Sequence, residues 1–215
     1  MSKYYILMGD VIGSRRHNAR ALAKQLGALI ARCNHALGPK TLSPYTVTLG
    51  DEFQGVSTSL FGVVETIVWL EEAILRSGYE FKLHYVAHWG EIDTPINPLI
   101  AHGMMGPGLT RARAVLTEKH KERPRIAFDF APSPATAILN DVAFALAGNI
   151  DIWKRKDFEL VVSMIDTPDN AEVAQQHDRD RTTVWRRRKH LRVADYIHLK
   201  SALLALGTEF AFHTE

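Results

Sequence analysis

At 215 residues with 46% apolar side chains, the chain is long enough for one substantial core and a small second unit. A net charge of +2 excludes a uniformly basic nucleic-acid-binding surface. No apolar run approaches the roughly 18–20 residues of a membrane span or the plan of a signal peptide, so a cytoplasmic protein with no membrane partner is expected. The single cysteine, Cys33, cannot form an internal disulfide and falls on an apolar helix stripe, which makes it a core residue.

Lys3 to Met8 reads as a short, almost wholly apolar strand, and Gly9-Asp10 ends it. From about Arg16 to Leu37, Leu22, Leu26, Leu29, Ile30, Cys33 and Leu37 recur at helical spacing, and Gly38-Pro39 stops the helix. Tyr45–Leu49 and Phe53–Ser57 are two strand-forming runs joined by Gly50-Asp51, which predicts a β-hairpin. A second helix covers Phe61 to Leu75, closed by Ser77-Gly78. Phe81 to Trp89 alternates: Phe81, Leu83, Tyr85, Ala87 and Trp89 share one face, His84 and His88 the other. A Pro-, Gly- and Met-rich loop, 93–108, leads into a helix over Leu109–Lys119, and Arg125–Phe130 is one more strand.

The order βα ββ α β α β places the chain in the α/β (α+β) class, as a ferredoxin-like or palm-type sandwich and not a doubly wound sheet. Ala131-Pro132-Ser133-Pro134 breaks the pattern, so two parts are expected, a palm-type domain over 1–130 and an all-α region over 131–215. Helices are predicted over Ala135–Ala147, Asp151–Ile165, Ala171–His177, Thr182–Leu191 and Ala194–Leu206. Asn170 to Leu191 has the plan of a helix-turn-helix, although His177 and Asp178 stand where Leu and Gly are usual, and Arg188 where a core Leu is usual. Trp153 is a core anchor between helices.

In a palm-type sheet the first strand and the hairpin lie side by side, so Asp10 and Asp51 converge at one edge. Two carboxylates brought together repel each other unless a cation lies between them, and hard oxygen donors suit Mg²⁺ or Mn²⁺ bound to phosphates. The following Gly13, Ser14, Arg15 and Arg16 offer backbone N–H groups and guanidinium groups to a polyphosphate. A simple turn role for Asp51 stands as the alternative. Glu52 is expected to point away from Asp51 as a solvated or hairpin-pairing residue, and Glu91 is a further acid for the same edge. His84 and His88 lie too far apart along a strand to share a metal.

Between Arg179 and Arg192 the chain carries seven Lys or Arg against one acid, Asp180. A second helix presenting Thr182, Thr183, Trp185, Arg186, Arg187 and Lys189 suits phosphate contacts and major-groove entry, and the same helix could instead dock on an acidic surface.

MGDVIGS and TLGDEFQGV resemble the two metal-binding segments of class III nucleotidyl cyclases, KLHYVAHWGEI falls where those enzymes carry a glycine-bearing strand, and LGDEF is one residue from the GGDEF signature of diguanylate cyclases. GDVIGSR, TLGDEFQG, the GEI after the fourth strand, the GPG before the next helix and the helix-turn-helix together resemble the SatD family over nearly the whole chain. The cyclase resemblance implies Asp10 and Asp51 as metal ligands, a nucleotide-type ligand and a homodimer, because cyclase palms often complete their sites across two subunits. It departs at the base readers, which fall on Val47 and near Gly103. It departs also at the transition-state residues, where Thr110 replaces Asn and the arginine is displaced to Arg111 or Arg113. Three functions follow: a regulator that binds a nucleotide with a divalent metal and DNA, a metal-dependent nucleotidyl cyclase or transferase, or an assembly scaffold without either ligand.

Overall fold

The computed structural model describes residues 2–118 and 124–209. The chain runs β1 (Lys3–Val11), α1 (Ala19–Leu37), β2 (Thr41–Val47), β3 (Glu52–Ser57), α2 (Leu60–Ser77), β4 (Leu83–Glu91), α3 (Pro107–Thr117) and β5 (Ile126–Asp129). These strands form one sheet in the order β2-β3-β1-β4-β5. β1 is antiparallel to β3 and β4, β2 to β3, and β5 is parallel to β4 through the α3 crossover. That is the expected palm-type plan with one parallel strand added.

The alternation along β1 separates two cores. Tyr5, Leu7 and Val11 face α1 and α2 together with Phe53, Tyr85 and Phe128, and we call this the inner face. Ile6 and Met8 face outward, where they meet Val56, Val86 and the α3 residues Leu109, Ala112 and Leu116. Cys33 is fully buried in the inner core, and burial pushes its thiol up to about 12, so it packs and does not react.

Several predicted bounds shift for local reasons. The first helix starts at Ala19, not Arg16, because Asn18 caps it by accepting the Ala21 N–H at 3.0 Å, and Ser14–Arg16 form a separate single 3₁₀ turn. β2 begins at Thr41, four residues before the predicted strand. Pro44 is tolerated there because β2 is an edge strand whose register slips on both sides of Ser43. Gly78 closes α2 at φ 63, as its place after Ser77 predicts. Lys119, the predicted end of the third helix, lies outside the described residues.

The remaining helices are α4 (Pro134–Asp151), α5 (Phe158–Asp166), α6 (Asn170–Gln176), α7 (Arg181–His190) and α8 (Val193–Glu209). The helix predicted from Asp151 instead starts at Phe158, because α4 runs on to Asp151 and a 3₁₀ turn at Arg155–Asp157 re-aims the chain. The expected boundary at residue 130 falls between β5 and α4, yet one apolar cluster continues across it from Tyr5 to Leu203. Trp153 is the anchor it was expected to be: 4% exposed, it donates its indole N–H to Leu191 O at 2.7 Å and meets the Tyr196 ring at 5.0 Å. α8 returns to α2, where Tyr196 and Lys200 both bind Glu72. Among the described residues no single helix is long and apolar enough to cross a membrane.

Candidate functional site

The register of the three central strands assembles the site. Asp10 lies directly opposite Glu52 on one side and His84 on the other, so the three share one row on the outer face. The next row is Gln54, Met8 and Val86, and the one after is Val56, Ile6 and His88. α3 covers the inner two of these rows, and the 93–106 loop folds over the β2–β3 side, where Gln54 donates to Ala101 O and Ser43 to Asn97 O. The row of Asp10 is left at the rim. Beside it opens a cleft of about 740 Å³ lined by Met8, Gln54, His102, Met104, Thr110 and Arg113, among others.

Asp51 sits on the turn that follows β2. Its carbonyl accepts the Val11 N–H at 2.9 Å, which ties the hairpin tip to the end of β1. Gly50, at φ 82, supplies the left-handed residue this turn needs. The predicted convergence of the hairpin tip and β1 is therefore present, but the acid in register with Asp10 is Glu52, which alternation alone was expected to turn away. Asp51 lies in the turn and not in the strand, so it sets no alternation for Glu52, and Glu52 also pairs within the hairpin, as expected, by accepting the Thr48 N–H at 2.9 Å. The Glu52 carboxyl is pushed up by burial and by the negative charges of Asp51 and Asp10, while Arg113 pulls it the other way.

Asp10 Oδ1 is buried and has no hydrogen-bond partner. His84 Nδ1 lies 3.3 Å from it without the alignment of a hydrogen bond, and compensates its charge only when protonated. A carboxylate oxygen held dry in a row with Glu52, and near Asp51, concentrates negative charge at this rim. The donor set fits a hard divalent ion that takes one or two carboxylates and completes its shell with water and phosphate oxygens. Among the described residues no group of three or more His, Cys, Asp or Glu side chains is placed to hold a metal ion, so an ion here would rest on one or two carboxylates. Asp10 and Asp51 would hold the ion, with Glu52 alongside, and the ion would supply charge neutralisation for a phosphate chain.

The two candidate arginines separate cleanly. Arg111 is bound side-on by Asp129 at 2.9 and 2.8 Å, and Asp129 also takes His88 Nδ1 at 2.9 Å; the Arg111 and His88 charges hold the Asp129 carboxyl below the usual range. Arg113 instead donates to the amide oxygen of Gln54 at 3.1 Å, a neutral partner that aims the guanidinium over the cleft without cancelling its charge. Gln54 went unnoticed in the sequence, as one polar residue in an apolar strand is a weak signal. Glu91 does not join the site. β1 and β4 are antiparallel and Glu91 pairs with Lys3, about 23 Å along the strand from Asp10. Gly13, Ser14, Arg15 and Arg16 leave the sheet at the Asp10 end, with Gly13 at φ 66 and both arginines exposed.

The second candidate surface is the helix-turn-helix. α6 and α7 are joined by a turn in which Asp178 adopts φ 49, the left-handed conformation for which Gly is usual and which Asp tolerates. Asp180 caps α7 by accepting the Thr183 N–H at 2.7 Å, and it also takes the Thr183 hydroxyl. Val184 is fully buried beneath α7. Arg188, where Leu is usual, lies half-buried and donates to Met164 O, Thr167 O and Asn170 Oδ1 at 2.7–2.8 Å, so it satisfies the carbonyl end of α5. Arg187 is paired with Asp157. Of the residues predicted to meet DNA, Thr183 and Arg187 are thus engaged inside the protein. Thr182, Trp185, Arg186 and Lys189 stay exposed along one helix face, with the Lys189 ammonium 4.1 Å over the Trp185 ring.

Sheet order, the hairpin at the end of β1 and helices on both faces define a palm-type α/β protein carrying an appended helix-turn-helix. The SatD family model matches residues 4–201, and the chain belongs to the SatD family. A solved structure of a bacterial light-regulated adenylyl cyclase is similar at 14% identity and a TM-score of 0.41, over 59% of this chain and 42% of the cyclase chain. No curated protein sequence matches it.

Proposed function

We propose that this SatD-family protein is a regulator in which the outer-face cleft binds a nucleotide-type ligand through Mg²⁺ or Mn²⁺ and the α6–α7 unit binds DNA. The observation that carries the ligand half is the dry Asp10 oxygen without a hydrogen bond, in one row with Glu52, whose carboxyl feels both Asp51 and the Arg113 guanidinium at the cleft. Acids for the metal and a cation for the phosphate are what a metal–polyphosphate pair needs on its two sides. Thermal unfolding with a panel of nucleoside triphosphates tests it, because a ligand at about 100 times its Kd adds roughly 2.7 kcal/mol. A Mg²⁺-dependent rise in Tm is expected for the native chain and not for Asp10→Asn/Asp51→Asn, and no rise with any nucleotide would overturn the reading. The enzyme alternative rests on Arg113, which could stabilise charge developing at a phosphate. Product formation from the nucleotide that gives the shift would establish it.

The DNA half rests on the exposed row of Thr182, Trp185, Arg186 and Lys189. Arg186→Ala and Lys189→Ala are each expected to lower the slope of log K against log salt by about 1. Arg188→Ala should instead lower fold stability, as it strips the carbonyl end of α5. A salt slope unmoved by both surface changes would remove DNA as the partner.

A further inference from the structure

Away from the acidic rim, two hollows adjoin where the palm meets the helical region. The first, about 210 Å³, is walled by Ile74, Leu75, Phe81, Ile150, Trp153 and Phe158. An apolar cavity of about 150 Å³ already holds a benzene ring, so this one admits a phenyl or branched alkyl group. The second, about 460 Å³, is polar and adds His17, Asn18 and Gln25. Four residues line both: Tyr79, Glu80, Phe81 and Arg155. The Tyr79 and Phe81 rings stack at 5.5 Å to make the common wall.

Among the described residues neither charge at this junction forms an ion pair. Arg155 has no carboxylate or carbonyl bonded to it among the described residues, and its guanidinium lies 6.0 Å over the Phe158 ring. It rests against Gly78, where a Cβ would stand 2.6 Å from Nη2, so the glycine leaves the room it occupies. Glu80 is exposed and likewise forms no ion pair among the described residues. Lys82, also in the wall, is taken by Asp151 at 2.8 Å, and Glu71 by Arg125. One cation and one anion, neither in an ion pair among the described residues, therefore line the junction of an apolar hollow and a polar one.

We infer that this junction is a binding site for a free α-amino acid with an apolar side chain, whose side chain fills the smaller hollow while Arg155 takes the carboxylate and Glu80 the ammonium. A simple carboxylate would leave Glu80 against a like charge, and a simple amine would do the same to Arg155; a zwitterion satisfies both. The site is separate from the metal cleft and stands without it. It also lies between the two ends of the molecule, since Lys82 O accepts the Ile12 N–H just past Asp10 and Trp153 holds the end of α7.

The test follows the ¹H–¹⁵N signal of the Trp153 indole, assigned by comparison with Trp153→Phe, during titration of the native chain with L-phenylalanine, L-leucine, 3-phenylpropanoate and phenethylamine. Saturable shifts of Trp153 with the two amino acids are expected, and binding of the two truncated analogues weaker by about tenfold, the cost of one lost charge-assisted bond. Arg155→Gln, a change at an exposed side chain, should erase the advantage of L-phenylalanine over phenethylamine, and Glu80→Gln its advantage over 3-phenylpropanoate. No saturable shift with either amino acid, analogues that bind as tightly as L-phenylalanine, or an advantage unchanged in both variants would overturn the assignment.

Discussion

Arg125→Met is expected to lower the free energy of unfolding by about 3–5 kcal/mol, the cost of leaving a buried charge without its partner. Arg125 enters from the start of β5 at 7% exposure and meets both oxygens of Glu71, itself 4% exposed, at 2.8 and 2.9 Å. Tyr85 donates its hydroxyl to the same carboxylate at 2.8 Å. Burial works against the charge on Arg125, but Glu71 beside it prevails and the guanidinium stays protonated. Its Nε lies 3.3 Å from Asp151 Oδ1 without making a hydrogen bond, so the Glu71 contact dominates. Methionine keeps the stem and removes the charge, leaving Glu71 with the Tyr85 hydroxyl alone. Glu71→Gln/Arg125→Met should recover most of the loss, since no buried charge remains and the amide oxygen still accepts the Tyr85 hydroxyl. Denaturant unfolding of the native chain and the two variants measures both effects, and a loss below about 1 kcal/mol in Arg125→Met would mean that water reaches this pair.

Gly108→Ala is expected to cost about 1–3 kcal/mol and to spoil the cleft as well. A Cβ on Gly108 would stand 2.7 Å from Gly90 C and 2.8 Å from Glu91 O, both backbone atoms that cannot swing aside. Gly106 meets Glu91 O and Ile92 Cα in the same way at 2.7 Å. The GPG segment therefore lets the first turn of α3 lie directly on the end of β4, and this contact sets the height of Arg113 above the sheet. Lifting α3 should weaken any ligand held by Arg113 more than the stability loss alone accounts for. Arg113→Ala, made beside it, should weaken the same ligand with little loss of stability.

Much of the sheet was legible because its alternation is strong: Leu83, Tyr85 and Ala87 do face the inner core while Val86 faces α3. Asp10 stood out as an acid closing an apolar strand. Its neighbours did not, because register is a property of pairs of strands and no single strand carries it. That is why Glu91 looked available and Glu52 did not, when the antiparallel ladder puts the first at the far end and the second directly opposite. Arg111 and Arg113 stand two residues apart on one helix, about 200° around its axis, so only one can look into the cleft, and periodicity does not say which. The basic run near the C-terminus shows the converse. Its charge was obvious, but the inward ties of Arg187 and Arg188 depend on Asp157 and the end of α5, which the sequence leaves distant.

The return of α8 has a mechanical meaning. After the helix-turn-helix the chain runs back along α4 and α2, and at Gly207 the two helices come so near that a Cβ there would stand 3.1 Å from Phe61 Cα, a tighter fit than side chains ordinarily make. α7 is thus held like the head of a tool on a fixed shaft and not like a bead on a string. Tether arithmetic, in which linker length sets how often two sites meet, does not apply to it. Whatever touches α7 meets it at an angle the palm has already chosen, and a strain of the palm would reach that contact as a rotation of one stiff body.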